Sequence, residues 1–196
     1  MTARHFRDPR LAATFAVGFG VLFSFVTLFT FINFHLAAPP FGLSPGWLGS
    51  LFVSYAFGLF TTPLTGPLVA RLGRRGLVLT ALGTWGFGGL LTMAPHLVPI
   101  FVGLVISACS GFFCQAVSTG YVAATATRAR SSAVGLYVTS YYLGGTLGAV
   151  IGGLAWRSGG WLGCVLLLWA ILIAKAACIL RFWRNPIAAP NPKGNI

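Results

Sequence analysis

The chain has 196 residues, of which 57% are hydrophobic and 7% charged, and a mean hydropathy of +0.86. That composition lies far outside the range of a water-soluble domain. The net charge of +12 would suggest a nucleic-acid partner in a soluble protein, but no basic stretch is interleaved with exposed aromatics, so no nucleic acid is expected.

The N-terminus, MTARHFRDPR, is basic. The apolar run behind it is too long for a signal-peptide core and holds no small-residue cleavage site, so it is expected to stay as a span. Six apolar spans follow, at residues 11–37, 46–70, 76–95, 97–126, 132–156 and 160–183. Each is long enough for a helix to cross roughly 30 Å of hydrocarbon. The expected fold is an all-α membrane protein of six transmembrane helices. Residues 1–10 would form a cytoplasmic tail, 11–184 the six-helix transmembrane domain, and 185–196, with three prolines, a disordered cytoplasmic tail.

The thirteen basic residues orient these spans. Arg4, Arg7 and Arg10 precede the first; Arg71, Arg74 and Arg75 lie between the second and third; Arg128 and Arg130 lie between the fourth and fifth; Arg181, Arg184 and Lys193 follow the sixth. The opposite side receives only Arg157. Basic residues concentrate on the cytoplasmic side, so both termini are expected inside and the lipid bilayer is the first partner. The outer gaps are short: APPFGLSP over Ala38–Pro45, and Pro95-His96.

The inner gap after the second span carries the most specific signal. Gly66 to Arg75 reads GPLVARLGRR. It resembles the G-x-x-x-D-R-x-G-R-[RK] loop signature of the major facilitator superfamily, through Gly66, Arg71, Gly73, Arg74 and Arg75. Gly66 and Gly73 would allow close helix packing and a tight turn, and the arginines would bond helix C-terminal carbonyls. The signature's acid, which the resemblance implies takes part in a gating ion pair, is Ala70 here.

The fifth span reads GLYVTSYYLGGTLGAVIGGLAW from Gly135 to Trp156. Its Gly135, Gly144, Gly148, Gly152 and Gly153 are similar to the glycine motif of the superfamily's antiporters, with Ala149 in the place of a proline. Steps of four advance about 40° around a helix, so Gly144, Gly148 and Gly152 share one stripe for close backbone approach. Together with SFVTLFTFI at Ser24–Ile32 and SYYLGG at Ser140–Gly145, these motifs are similar to the C-terminal six-helix half of bacterial inner-membrane efflux transporters of this superfamily.

The resemblance implies a secondary transporter exporting a small organic molecule, with the first and fourth helices lining a central cavity. A second six-helix half would complete it, either a missing N-terminal half or a second copy. The alternative is a non-transporting membrane fragment or accessory protein. On the first span, Ser24, Thr27 and Asn33 become candidate cavity residues, and on the fourth Gln115, Ser118 and Thr119. Tyr141 on the fifth could stack on an aromatic substrate. Asn33 and Gln115 stand out because their amides are costly to bury unpaired.

The remaining polar residues point to no chemistry beyond transport. Asp8, the single acidic side chain, precedes the first span. His35 and His96 are expected at the interface, and Lys175 is expected to snorkel toward headgroups. No proton site at the midplane is therefore expected. Cys109, Cys114, Cys164 and Cys178 lack zinc spacing, so neither metal nor cofactor is expected. Ser110-Gly111 superficially resembles an intramembrane nucleophile site, but no histidine lies in a later span to act as base, so an enzyme is not expected.

Overall fold

The computed structural model describes residues 8–126 and 130–183. The expected tails, apart from Asp8, Pro9 and Arg10, lie outside these residues, as does Arg128. Every regular element among the described residues is helical.

The first helix, α1, spans Pro9–Ala37. The Asp8 side chain accepts a hydrogen bond from the Arg10 backbone N–H at 2.9 Å, and Pro9 occupies the first turn where its missing N–H costs nothing. The helix stops where Pro39 and Pro40 remove two successive donors. Between those limits α1 is buried on nearly all sides, with Val17, Val21, Leu28, Ile32 and Leu36 all in the core. It is the central post of the bundle.

The expected second span, 46–70, is not one helix. It is assembled from α2 (Pro45–Ser50), a 3-10 turn (Leu51–Val53), α3 (Ser54–Leu59) and the start of α4 (Thr61–Leu91). The stretch before Phe60 is bent by 45° from α4. Gly46, Gly49 and Gly58 weaken the helix there, which periodicity alone did not weigh.

The expected gap at residues 71–75 narrows to a kink between two helical stretches of α4, where Gly73 leaves the helical region, at φ 70° and ψ 161°. A side chain at positive φ would be strained, so glycine suits this point. The chain reverses here. Tyr55 and Trp85 both pack on Phe25, with ring centroids 5.8 and 5.0 Å away, whereas thirty residues of straight helix would separate them by about 45 Å.

Helix α5 spans Leu97–Thr125, and α6 spans Arg130–Phe182 with a break at Gly160 (φ 57°, ψ −144°). The chain folds back at that glycine too. Cys164 Sγ lies 3.7 Å from the Gly152 carbonyl oxygen, although twelve residues of straight helix cover about 18 Å. The expected outer gap at residues 157–159 is helical, and Gly160 alone makes the corner.

Helices α1, α5 and α6 are each long and apolar enough to cross a membrane, and the bent α2–α4 stretch makes a fourth candidate. Their outer surfaces carry large apolar side chains such as Phe60, Val98, Leu147 and Leu166. Such faces belong in hydrocarbon, not water. This is an all-helical integral membrane protein.

The first arm of α6 lies against α1 through its glycines. A Cβ on Gly144 would overlap the Phe19 carbonyl, and one on Gly148 would sit 2.7 Å from the Phe23 carbonyl oxygen. One on Gly152 would meet the Phe31 ring at 2.6 Å. Gly153 has ordinary room beside Phe31, and Gly135 has no neighbour within 4 Å.

Two indoles fasten the second arm. Trp183 Nε1 donates to Thr14 Oγ1 at 3.0 Å while its ring stacks on Tyr121 at 4.2 Å. At the other end Trp161 Nε1 donates to the Thr92 carbonyl at 3.1 Å, and His35 stacks on its ring at 5.4 Å.

Candidate cavity between the first, third, fifth and sixth helices

A cavity of about 390 Å³ opens where α1 faces α3, α5 and the first arm of α6. Leu22, Phe25, Val26, Phe29, Thr30, Asn33 and Phe34 of α1 line one side. Phe52, Tyr55, Phe112, Gln115 and Tyr141 complete it. The lining positions of α1 recur at helical spacing, so one helical face supplies Phe25, Phe29 and Phe34, three of the seven aromatic rings in the wall. Tyr55 packs tightly on Phe29, with ring centroids 4.4 Å apart.

Two amides interrupt this apolar lining. Asn33 Nδ2 donates to the Phe29 carbonyl at 2.6 Å, which secures the group on its own helix. Gln115 Oε1 accepts from the Tyr137 hydroxyl at 2.7 Å. That bond crosses from α5 to α6, and Ser118 and Thr119 lie beside the same hydroxyl. An apolar pocket with a few fixed polar groups is the usual form of a site for a small organic ligand.

Of the seven cavity residues expected from sequence, Asn33, Gln115 and Tyr141 line this space. Ser24, Thr27, Ser118 and Thr119 do not. Ser24 Oγ donates to the Gly20 carbonyl at 2.7 Å, and Thr119 Oγ1 to the Gln115 carbonyl at 2.9 Å. Thr27 Oγ1 reaches the Gly148 carbonyl at 3.2 Å and so joins α1 to α6. Ser118 is fully buried. Hydroxyls in membrane helices satisfy themselves on nearby carbonyls and permit close packing, so a polar stripe need not face a ligand.

The sequence reading missed Phe25, Phe29, Phe52, Tyr55 and Phe112, because aromatic residues in an apolar span carry no distinguishing signal. It also misjudged Lys175. This side chain does not snorkel outward: it is 3% exposed, and its Nζ donates to Ser24 Oγ at 3.2 Å. The ammonium also stands 4.2 Å from the centre of the Trp85 ring. Its stem lies against Gly20, where a Cβ would meet Lys175 Cδ at 2.7 Å. Lys175 points inward because Gly20 and Ser24, one turn apart on α1, leave a groove that fits it.

The arginine-rich segment lies at the bundle end that holds Trp183. Arg75 Nη2 donates to the Leu180 carbonyl at 3.1 Å, in the last turn of α6. Gly73 forms the turn, Arg74 is half-buried, and Arg71 is exposed. Gly66 does not mediate close packing: it is exposed, with nothing within 4 Å of where its Cβ would be.

A family profile described as the Major Facilitator Superfamily matches residues 11–196. The chain is similar to an uncharacterized transporter of Buchnera aphidicola subsp. Schizaphis graminum (strain Sg), at 32% identity over 176 residues. That match covers 87% of this chain and 42% of the relative. It is also similar to the inner membrane transport protein YnfM of Escherichia coli (strain K12), at 34% identity over 159 residues, covering 81% of this chain and 38% of YnfM. The uncharacterized MFS-type transporter YybF of Bacillus subtilis (strain 168) is 29% identical over 171 residues, with 87% and 42% covered. The chain thus spans about two fifths of the length of these curated relatives.

Proposed function

The chain belongs to the major facilitator superfamily, and from that premise we propose that it forms one wall of a path exporting a small organic molecule across the bacterial inner membrane. The family is one of transporters, not enzymes. The reversals at Gly73 and Gly160 support six membrane passes, at residues 9–37, 45–72, 74–91, 97–125, 130–159 and 161–182. The arginine distribution supports cytoplasmic termini, with the Arg71–Arg75 turn on the same side. Its partner in transport is a second six-helix half, from a longer polypeptide or from another copy, because alternating access rocks two such halves about a central site.

The observation that carries this reading is the cavity with its aromatic wall and two amides, Asn33 and Gln115. Its chemistry suits a flat, largely apolar molecule with one or two hydrogen-bonding groups. Phe25, Phe29 and Tyr141 would hold the ring system, and the amides would fix its orientation.

The test is binding of an aromatic cation such as ethidium to the full chain in lipid nanodiscs, followed by fluorescence polarisation. Asn33→Ala is expected to weaken binding several-fold, while Thr139→Ala, on an exposed face of α6, leaves it unchanged. Equal affinity for parent and Asn33→Ala would overturn the assignment of this cavity. Binding without flux in liposomes, even with a second half co-expressed, would select the accessory role instead.

A further inference from the structure

Lys175 is buried among three helices and has no carboxylate partner among the described residues. The chain's one acidic side chain, Asp8, caps α1, sixteen residues from Ser24 and so about 24 Å away along the helix. From α1 the ammonium meets the Ser24 hydroxyl and from α4 the Trp85 ring face. From α5 the Cys114 thiol is the titratable group that acts on it among the described residues. One hydrogen bond and one ring face are thin compensation for an ammonium taken out of water. A methionine of similar length would fill the space at lower cost. Ionisable side chains held inside membrane helices at such expense mark places where charge is used.

We propose that Lys175 is a proton-binding switch inside the bundle. Protonated, its ammonium holds α1 and α4 against the second arm of α6, through Ser24 Oγ and the Trp85 face. On deprotonation the proton passes to water as hydronium and leaves a neutral amine. The attraction to the indole face then vanishes, and the hydrogen bond to Ser24 loses its charge assistance. Three helices lose their common tie.

The switch is linked to the cavity through one aromatic contact. Phe25 lines the cavity and packs on Trp85 with ring centroids 5.0 Å apart. A ligand that displaces Phe25 therefore moves the ring that carries the ammonium. Use of the switch to couple export to a proton gradient rests on the proposed function; the titration itself does not.

The test is tryptophan emission of the full chain in lipid nanodiscs, scanned from neutral to alkaline pH, with Trp85→Phe subtracted to isolate Trp85. The expected result is a step in Trp85 emission. Lys175→Met removes it, and so does Lys175→Arg, whose charge persists throughout the scan. Ser24→Ala changes the midpoint of the step, because the charged form loses its hydrogen-bond acceptor. Lys175→Met should melt no lower than the parent, and Lys175→Arg decides the matter if the methionine variant fails to fold. A step that persists without Lys175, or no Trp85 step in the parent, overturns the proposal. Presence of the step with no gradient-driven flux would retire the transport reading and leave the switch standing.

Discussion

Replacing Gly148 by leucine is the sharpest probe of the contact between α1 and the first arm of α6. The first added atom would lie 2.7 Å from the Phe23 carbonyl oxygen and 2.9 Å from Phe23 Cα. Both are backbone atoms of a helix buried on nearly all sides, so neither can step aside by changing rotamer. Overpacking of this kind costs about 1–3 kcal/mol. Separating the helices also breaks the bond from Thr27 Oγ1 to the Gly148 carbonyl, worth roughly 0.6–1.7 kcal/mol between membrane helices. The combined loss is about 2–5 kcal/mol, which for a chain of this size lowers the melting temperature by on the order of 5–15 °C. The assay is thermal unfolding in detergent with a thiol-reactive dye, since Cys114 and Cys164 are buried until the bundle opens. Gly135→Ala is the control: its Cβ would meet nothing within 4 Å, and alanine favours the helix by up to about 1 kcal/mol. Equal melting of Gly148→Leu and the parent would refute the reasoning.

Other perturbations separate the remaining claims. Cysteine probes placed at Pro40 and His96 should react with an impermeant reagent from outside, and one at Gly73 should not; the reverse pattern would invert the proposed orientation. Gly73→Ala should cost about 1–3 kcal/mol through its positive φ, visible as a lower melting temperature. Gly66→Ala, in an open helical position, should melt like the parent, and equal losses for the two would sink the turn assignment. Gln115→Ala should weaken ethidium binding and also destabilise the bundle by about 1–3 kcal/mol, because the Tyr137 hydroxyl loses its partner. Unchanged melting would show that this hydroxyl finds another acceptor.

Much of the helical layout could be read from composition because lipid imposes one demand on every span: long, apolar and internally hydrogen-bonded. The glycines of the first arm were legible for a related reason. Three small residues at steps of four have few uses besides close contact, and the structure places Gly144, Gly148 and Gly152 against α1. What could not be read was direction. Ser24 and Thr27 share a polar face, but a helical wheel does not say whether a face looks at a ligand, a carbonyl or another helix. Lys175 stood near enough to a span end to reach either way, and the deciding groove is made by Gly20 and Ser24, more than 150 positions earlier. The broken segment between Pro45 and Phe60 was hidden because its hydropathy is that of an intact span. Gly66 matched the family signature by letter while lying in open space.

The two indoles at Trp161 and Trp183 give the second arm of α6 a mechanical character. A rod bolted at both ends can neither slide along its axis nor roll about it without shearing a hydrogen bond at one bolt or the other. Through those bolts it grips the start of α1 and the turn after α4, so these elements travel as a single frame. Compliance must then reside where no such fastening exists. Among the described residues, that is the jointed run of short helical pieces from Pro45 to Leu59, which presents Phe52 and Tyr55 to the cavity. The frame sets the shape of the chamber, and this jointed panel is the part able to yield to what enters it.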